Sequence, residues 1–273
     1  MSTPSLISNA TPANHPPRPK GDALLGIPIG WRGLAELTDE AVRAVRDREP
    51  QVVFACANPH SLVTARDDGV FRDALRDADQ VVADGVGVSL AGRWVGARIG
   101  PRITGTDYFL SLMGRLNDSG GGRVFFFGSS DKVLGLIAER MARDYPALTL
   151  CGALSPPYRA WSEEENRAML AQIDAAQPDL LWVGMTAPKQ EKWVFQNRHS
   201  LAVPVIGSIG AVFDFYAGTY PRAPAWMCRY GLEWLYRLIS EPRRMWRRNF
   251  ISTPLFLLRV GRQHGFGFAS KPG

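Results

Sequence analysis

Short, continuously apolar runs alternate along the chain with longer stretches of mixed polarity. The runs within 51–56, 80–83, 123–127, 149–151, 179–184 and 204–207 do not alternate between apolar and polar residues. That is the pattern of strands covered on both faces. Between them lie helical stretches. One opens at Thr38-Asp39-Glu40 with Ala41, Val42 and Val45 on one face, and one runs from Asp131 through about Arg143. Another covers 162–176 and opens with Ser162 and Glu165, spaced as a capping box. The alternation predicts an α/β fold, a Rossmann-like parallel sheet with helices on both faces. In such a fold ligands bind beyond the carboxyl ends of the strands.

The two ends of the chain differ from this body. Residues 1–22 hold Pro4, Pro12, Pro16, Pro17 and Pro19 among Ser, Thr and Asn, the composition of a flexible leader. The α/β body is expected over 23–218, and 219–273 is expected to form a separable helical appendage. Its helical stretch over 230–239 is interrupted by Pro242. Charge sharpens this division. The chain carries +6 overall, but Arg222 to Arg262 holds nine arginines against Glu233 and Glu241, so that segment alone is +7. With Trp226, Trp234 and Trp246 among those arginines, it suits an anionic membrane surface. A nucleic-acid tail is the competing reading, and the membrane is preferred.

No apolar run approaches the roughly 20 residues that span a bilayer, and the N-terminus lacks a signal-peptide pattern. A cytoplasmic address, peripheral on the inner face of the membrane, is the expectation. Cys56, Cys151 and Cys228 show no CxxC spacing, and His15, His60, His199 and His264 are scattered. Neither a disulfide framework nor a metal site is suggested, and no cofactor is expected. Homo-oligomerisation stays open.

Three segments at strand ends hold candidate chemistry. In Asp84-Gly85-Val86-Gly87 the carboxylate is a general base or a ribose ligand, or else it caps the helix over 86–94. Gly85 and Gly87 begin a dinucleotide fingerprint, but Leu90 stands in the third glycine's place. Thr186 to Trp193 opens a helix with Pro188, and its amides with Lys189 and Gln190 suit a phosphate or sugar. In Gly207 to Gly218, Asp214 is a ribose ligand or a turn cap. Asp77-Ala78-Asp79 has the shape of a metal-holding DxD, yet it precedes its strand and is expected to be a solvated helix end.

Taken in order, Cys56-Ala57-Asn58-Pro59, Ala83-Asp84-Gly85, Arg102-Ile103-Thr104-Gly105-Thr106-Asp107, Pro188-Lys189-Gln190-Glu191, Phe213-Asp214, Ala217-Gly218 and Arg222-Ala223-Pro224 form a series. The stretch Gly231 to Arg237 with Glu241-Pro242-Arg243 closes it. This series resembles the WecG/TagA/CpsF family of bacterial glycosyltransferases from about Leu24 to Arg262. The resemblance implies an inverting, metal-independent transferase for cell-surface polysaccharides. It would move a hexosyl or N-acetylhexosaminyl group from a UDP-sugar donor to a polyprenyl-diphosphate-linked sugar acceptor. It also implies Asp84 as the base, with Cys56, Asn58, Arg102, Gln190 and Asp214 binding substrate. Arg237, Arg244 and Arg247 would engage the lipid diphosphate. Cys56 stands where the family has Thr, so one acceptor contact differs. A nicotinamide-dependent oxidoreductase and a non-catalytic membrane-attached binding module are the alternatives.

Overall fold

The computed structural model describes residues 21–265 except positions 49, 222, 225, 228, 229, 231 and 232, and except the side chains of Glu233, Arg237 and Arg244. A hairpin, β1 (Ala23–Leu24) and β2 (Ile27–Pro28), precedes α1 (Leu34–Asp47). Then come β3 (Val52–Ala57), α2 (Pro59–Asp67), α3 (Gly69–Asp77), β4 (Gln80–Ala83), α4 (Val86–Trp94) and α5 (Gly105–Asp118). The second half continues with β5 (Gly122–Gly128), α6 (Asp131–Asp144), β6 (Leu148–Leu154), α7 (Glu163–Ala175), β7 (Leu180–Gly184), α8 (Lys189–Asn197), β8 (Val205–Ser208) and α9 (Val212–Ala217). The C-terminal segment holds α10 (Glu233–Ser240), α11 (Pro242–Trp246), a π-helical turn (Arg247–Ser252) and α12 (Thr253–Gln263).

Strands β3 to β8 form one parallel sheet in the order β4-β3-β8-β7-β5-β6. The expected α/β class is what the chain adopts. Because side chains alternate across a strand, each apolar run feeds two cores. Ala55 and Leu181 face one with Leu62, Phe71 and Phe256. Phe54 and Trp182 face the other with Tyr108, Phe109 and Phe213. Phe54 stacks on Tyr108 at 3.7 Å between centroids. The register that sets Ala57 opposite Ala83 brings the next residues, Asn58 and Asp84, side by side at the carboxyl edge.

Two local expectations differ from the structure. Helix α1 starts at Leu34, a turn before Thr38, because the Glu36 carboxylate accepts the Gly33 N–H at 3.1 Å. Thr38 is instead fully buried, and its hydroxyl donates to the Leu34 carbonyl at 2.9 Å. The Asp77–Asp79 segment is no solvated helix end either. Arg198, buried at 6% exposure, pairs with Asp77 at 2.8 Å and with Asp79 at 3.0 Å. Asp79 also accepts the Val53 N–H at 2.9 Å. Asp79→Ala removes one of the two carboxylates from this buried guanidinium, which keeps Asp77 and Gln51, and leaves the Val53 N–H without its acceptor, so it is expected to lower stability by about 1–3 kcal/mol. Denaturant midpoints at unchanged slope would measure that loss.

The C-terminal helices are less separable than the charge pattern implied. Phe256 and Val260 of α12 are fully buried in the first core. Gly261 lets the Trp94 ring lie against α12, since a Cβ there would stand 2.7 Å from the indole. Severing the chain near Ala217 would therefore strip one face of that core.

Candidate active site

The loops after β3, β4, β7 and β8, with the start of α5, enclose a polar cleft of about 460 Å³. That lies within the roughly 300–1,000 Å³ of small-molecule sites. Of the residues nominated from sequence, Cys56, Asn58, Asp84, Gln190 and Asp214 all line it. A second cavity of about 710 Å³, mostly apolar, runs between α4 and the C-terminal helices, past Leu90, Trp94, Trp234, Phe250 and Leu257. Arg102 lines this groove and not the cleft. Asn58, Asp84 and Arg248 line both cavities. Two different environments thus meet at one carboxylate, one amide and one guanidinium.

Each junction residue is placed by local structure. Asp84 follows the last residue of β4, and its N–H donates to the Ala57 carbonyl at 2.9 Å. Asp84 is not the cap of α4. That position belongs to Gly85, whose φ of 94° an L side chain rarely adopts. Asn58 is the N-cap of α2, its Oδ1 accepting the Ser61 N–H at 2.9 Å. Thr104 and Asp107 close a capping box that starts α5 at the cleft wall. His60 Nδ1 and Ser252 Oγ lie 2.9 Å apart, tying α2 to the π-helical turn that bears Arg248.

Burial sets the electrostatics of the floor. The Cys56 thiol is pushed well above its ordinary range by burial, reinforced by the carboxylates of Asp84, Glu191 and Asp107. It is a neutral wall and no thiolate nucleophile. Gln190 accepts the Met185 N–H at 3.2 Å and donates to Glu191 Oε1 at 2.9 Å. Glu191, at 5% exposure, lines the cleft, and its Oε2 has no hydrogen-bond partner among the described residues. Burial pushes this carboxyl up to about 7. Lys189, lowered by burial, sits 3.9 Å over the Trp161 ring at the cleft edge.

A carboxyl raised on folding stabilises the fold below its unfolded value, and that contribution fades as pH rises through about 7. Stability of the native chain relative to Glu191→Gln is therefore expected to fall by roughly 3 kcal/mol between pH 5 and pH 8. Denaturant melts of both proteins at the two pH values measure this, and parallel curves would show Glu191 ionised throughout.

Sequence reasoning missed two residues here, Glu191 and Arg248. Both stood inside quoted or adjacent motifs, but nothing in their spacing marked them as lining the site. Arg247, which was nominated, is exposed and lines neither cavity. Arg237 and Arg244 lie on α10 and α11, and their side chains fall outside the described residues, as does Arg222. Among the described residues no group of three or more His, Cys, Asp or Glu is placed to hold a metal. Among them, too, no helix is long and apolar enough to cross a membrane.

Residues 23–268 match the family described as "Glycosyl transferase WecG/TagA/CpsF family". An N-acetylglucosaminyldiphosphoundecaprenol N-acetyl-beta-D-mannosaminyltransferase of Bacillus subtilis (strain 168) is 30% identical over 239 residues, covering 88% of this chain and 90% of its own length. A protein of the same description from Bacillus spizizenii is 32% identical over 214 residues, covering 78% and 80%.

Proposed function

Because the chain belongs to the WecG/TagA/CpsF family of glycosyltransferases, we propose that it transfers a sugar from a UDP-sugar in the polar cleft to a polyprenyl-diphosphate-linked sugar in the apolar groove. The observation that supports this reading most is the sharing of Asn58, Asp84 and Arg248 by the two cavities. A reaction between a water-soluble donor and a lipid-borne acceptor needs such a junction. The oxidoreductase and binding-module alternatives are set aside by membership of a transferase family.

The proposed mechanism rests on where the groups lie. The acceptor sugar, its lipid in the groove, presents a hydroxyl to Asp84, which takes its proton as the oxygen attacks the donor's anomeric carbon. Attack from the groove side, opposite the departing UDP, inverts that carbon. Negative charge grows on the UDP as it leaves, and the amides opening α8 with Lys189 line the cleft where it would be stabilised. Asn58, lining both cavities, meets the acceptor beside Asp84, while Cys56, Gln190 and Asp214 line the donor's cleft. Arg102 and Arg248 lie along the groove, where they can pair with the lipid diphosphate. With Asp77 and Asp79 engaged by Arg198, no DxD serves a metal in this scheme. Transfer is expected to continue in excess EDTA, and loss restored by Mg²⁺ or Mn²⁺ would contradict this part.

The groove supplies the sharpest test. Leu257→Glu puts a charge in its wall, so transfer to a long-chain polyprenyl acceptor is expected to fall at least tenfold. UDP-sugar binding, followed by calorimetry, should not change. Equal effects on long- and short-chain acceptors would take the lipid out of the groove.

A further inference from the structure

Helix α12 separates the apolar groove from another large depression. Successive residues turn about 100° around a helix, so Thr253 and Leu257, on the groove, oppose Leu255, Arg259, Arg262 and Gln263. The latter four wall a cavity of about 750 Å³, closed by Arg66, Arg72 and Arg76 of α2 and α3 and by the hairpin turn at Leu25 and Gly26. Among the described residues five arginines line it and no acid does. Arg76 Nε donates to the Gly26 carbonyl at 2.9 Å, and Leu25 N–H donates to Gln263 Oε1 at 3.0 Å, so the wall is built and not merely crowded. Asp73 stands 3.8 Å from Arg72 and Asp67 4.0 Å from Arg259, both outside hydrogen-bonding distance. Arg72 Nε is buried without a hydrogen-bond partner among the described residues.

Gathering five guanidiniums around one space costs electrostatic free energy that an anion offsets. The outer ridge of α12 shows which anion. Leu258 is exposed there, between the depression and the groove, with Leu257 exposed at the groove itself, and Ile251 and Phe250 are exposed just before it. Apolar side chains beside a phosphate-binding concavity match the layering of a membrane surface, acyl chains next to headgroups. A nucleic acid would meet the arginines but find nothing for the leucines.

We infer that the depression formed by Arg66, Arg72, Arg76, Arg259 and Arg262 binds the phosphates of anionic phospholipid headgroups. It holds the chain on the bilayer with the groove beside it open to lipid. The inference rests on the membrane setting of the proposed function, but its test needs no turnover. The full chain is sedimented with vesicles of phosphatidylcholine, alone or mixed with phosphatidylglycerol. Arg66→Gln/Arg72→Gln/Arg76→Gln is compared with Arg43→Gln/Arg46→Gln/Arg167→Gln, which removes the same charge from exposed positions on α1 and α7. The first variant is expected to lose about a hundredfold in partitioning to the anionic vesicles, and the second no more than a few-fold. Arg66→Gln/Arg262→Gln, both exposed, repeats the test without touching the Arg76 hydrogen bond. Equal losses in site and control variants would overturn the inference, as would unchanged binding. So would tighter binding of polyuridylate than of vesicles through the same arginines. Transfer to a short-chain acceptor, measured in parallel, tests the proposed function separately. Vesicle binding as expected with no transfer would sink that function and leave the lipid site standing.

Discussion

Asp84→Asn is expected to slow sugar transfer by about 10²- to 10⁴-fold while leaving UDP-sugar affinity within a few-fold. The amide keeps the shape of the carboxylate and the strand-end hydrogen bond from the Asp84 backbone to Ala57, so the fold has no reason to change. What it loses is the capacity to take the acceptor's proton. Among the described residues no other carboxylate lines both cavities. Asp214 and Glu191 line the cleft but not the groove, and Glu191 titrates near neutrality behind Gln190. Single-turnover rates with donor binding measured separately distinguish the two effects. A variant that keeps more than half the native rate would remove Asp84 from the mechanism.

The second large effect separates two neighbouring arginines. Arg248→Ala is expected to reduce transfer to the lipid-linked acceptor by about 10²- to 10³-fold, the cost of removing one well-placed donor to a charged group. Arg247→Ala should stay within a few-fold. Arg248 lines both cavities, and its charge reaches His60 and Glu191, whereas Arg247 is exposed and lines neither. Steady-state kinetics on both variants, with melting temperatures to confirm folding, decide between them. Equal losses would place the arginines on a general basic surface with no specific role at the junction.

That contrast also shows where the sequence stops being legible. Strands β3, β4, β7 and β8 were readable because each is a short, largely apolar run buried on both faces, and their carboxyl ends then located Asn58, Asp84, Gln190 and Asp214 in one cleft. The pair Arg247-Arg248 could not be resolved in the same way. It begins a π-helical turn, whose i→i+5 hydrogen bonding shifts the angular phase that an α-helical reading assumes. Glu191 sits between Gln190 and Lys192, a sequence that suggests a solvated turn. The packing of α8 against the sheet buries it instead, which only tertiary structure reveals. Asp77 and Asp79 likewise looked exposed until Arg198, more than a hundred residues later, closed on them. The docking of α12 was hidden for a related reason. Charge marked the segment as distinct, but Phe256 and Val260, an i,i+4 pair, bury α12 in the body's core.

The central claim is transfer across the Asp84 junction from a water-soluble donor to a lipid-linked acceptor. Its most direct measurement incubates the full chain with a panel of UDP-sugars and polyprenyl-diphosphate-linked N-acetylglucosamine, and follows the lipid product by mass spectrometry. The account predicts that at least one UDP-hexose or UDP-N-acetylhexosamine yields a disaccharide-lipid with inverted anomeric configuration, and that Asp84→Asn abolishes it. A retained configuration, or no lipid-linked product while the same UDP-sugars are consumed by another acceptor, would contradict it.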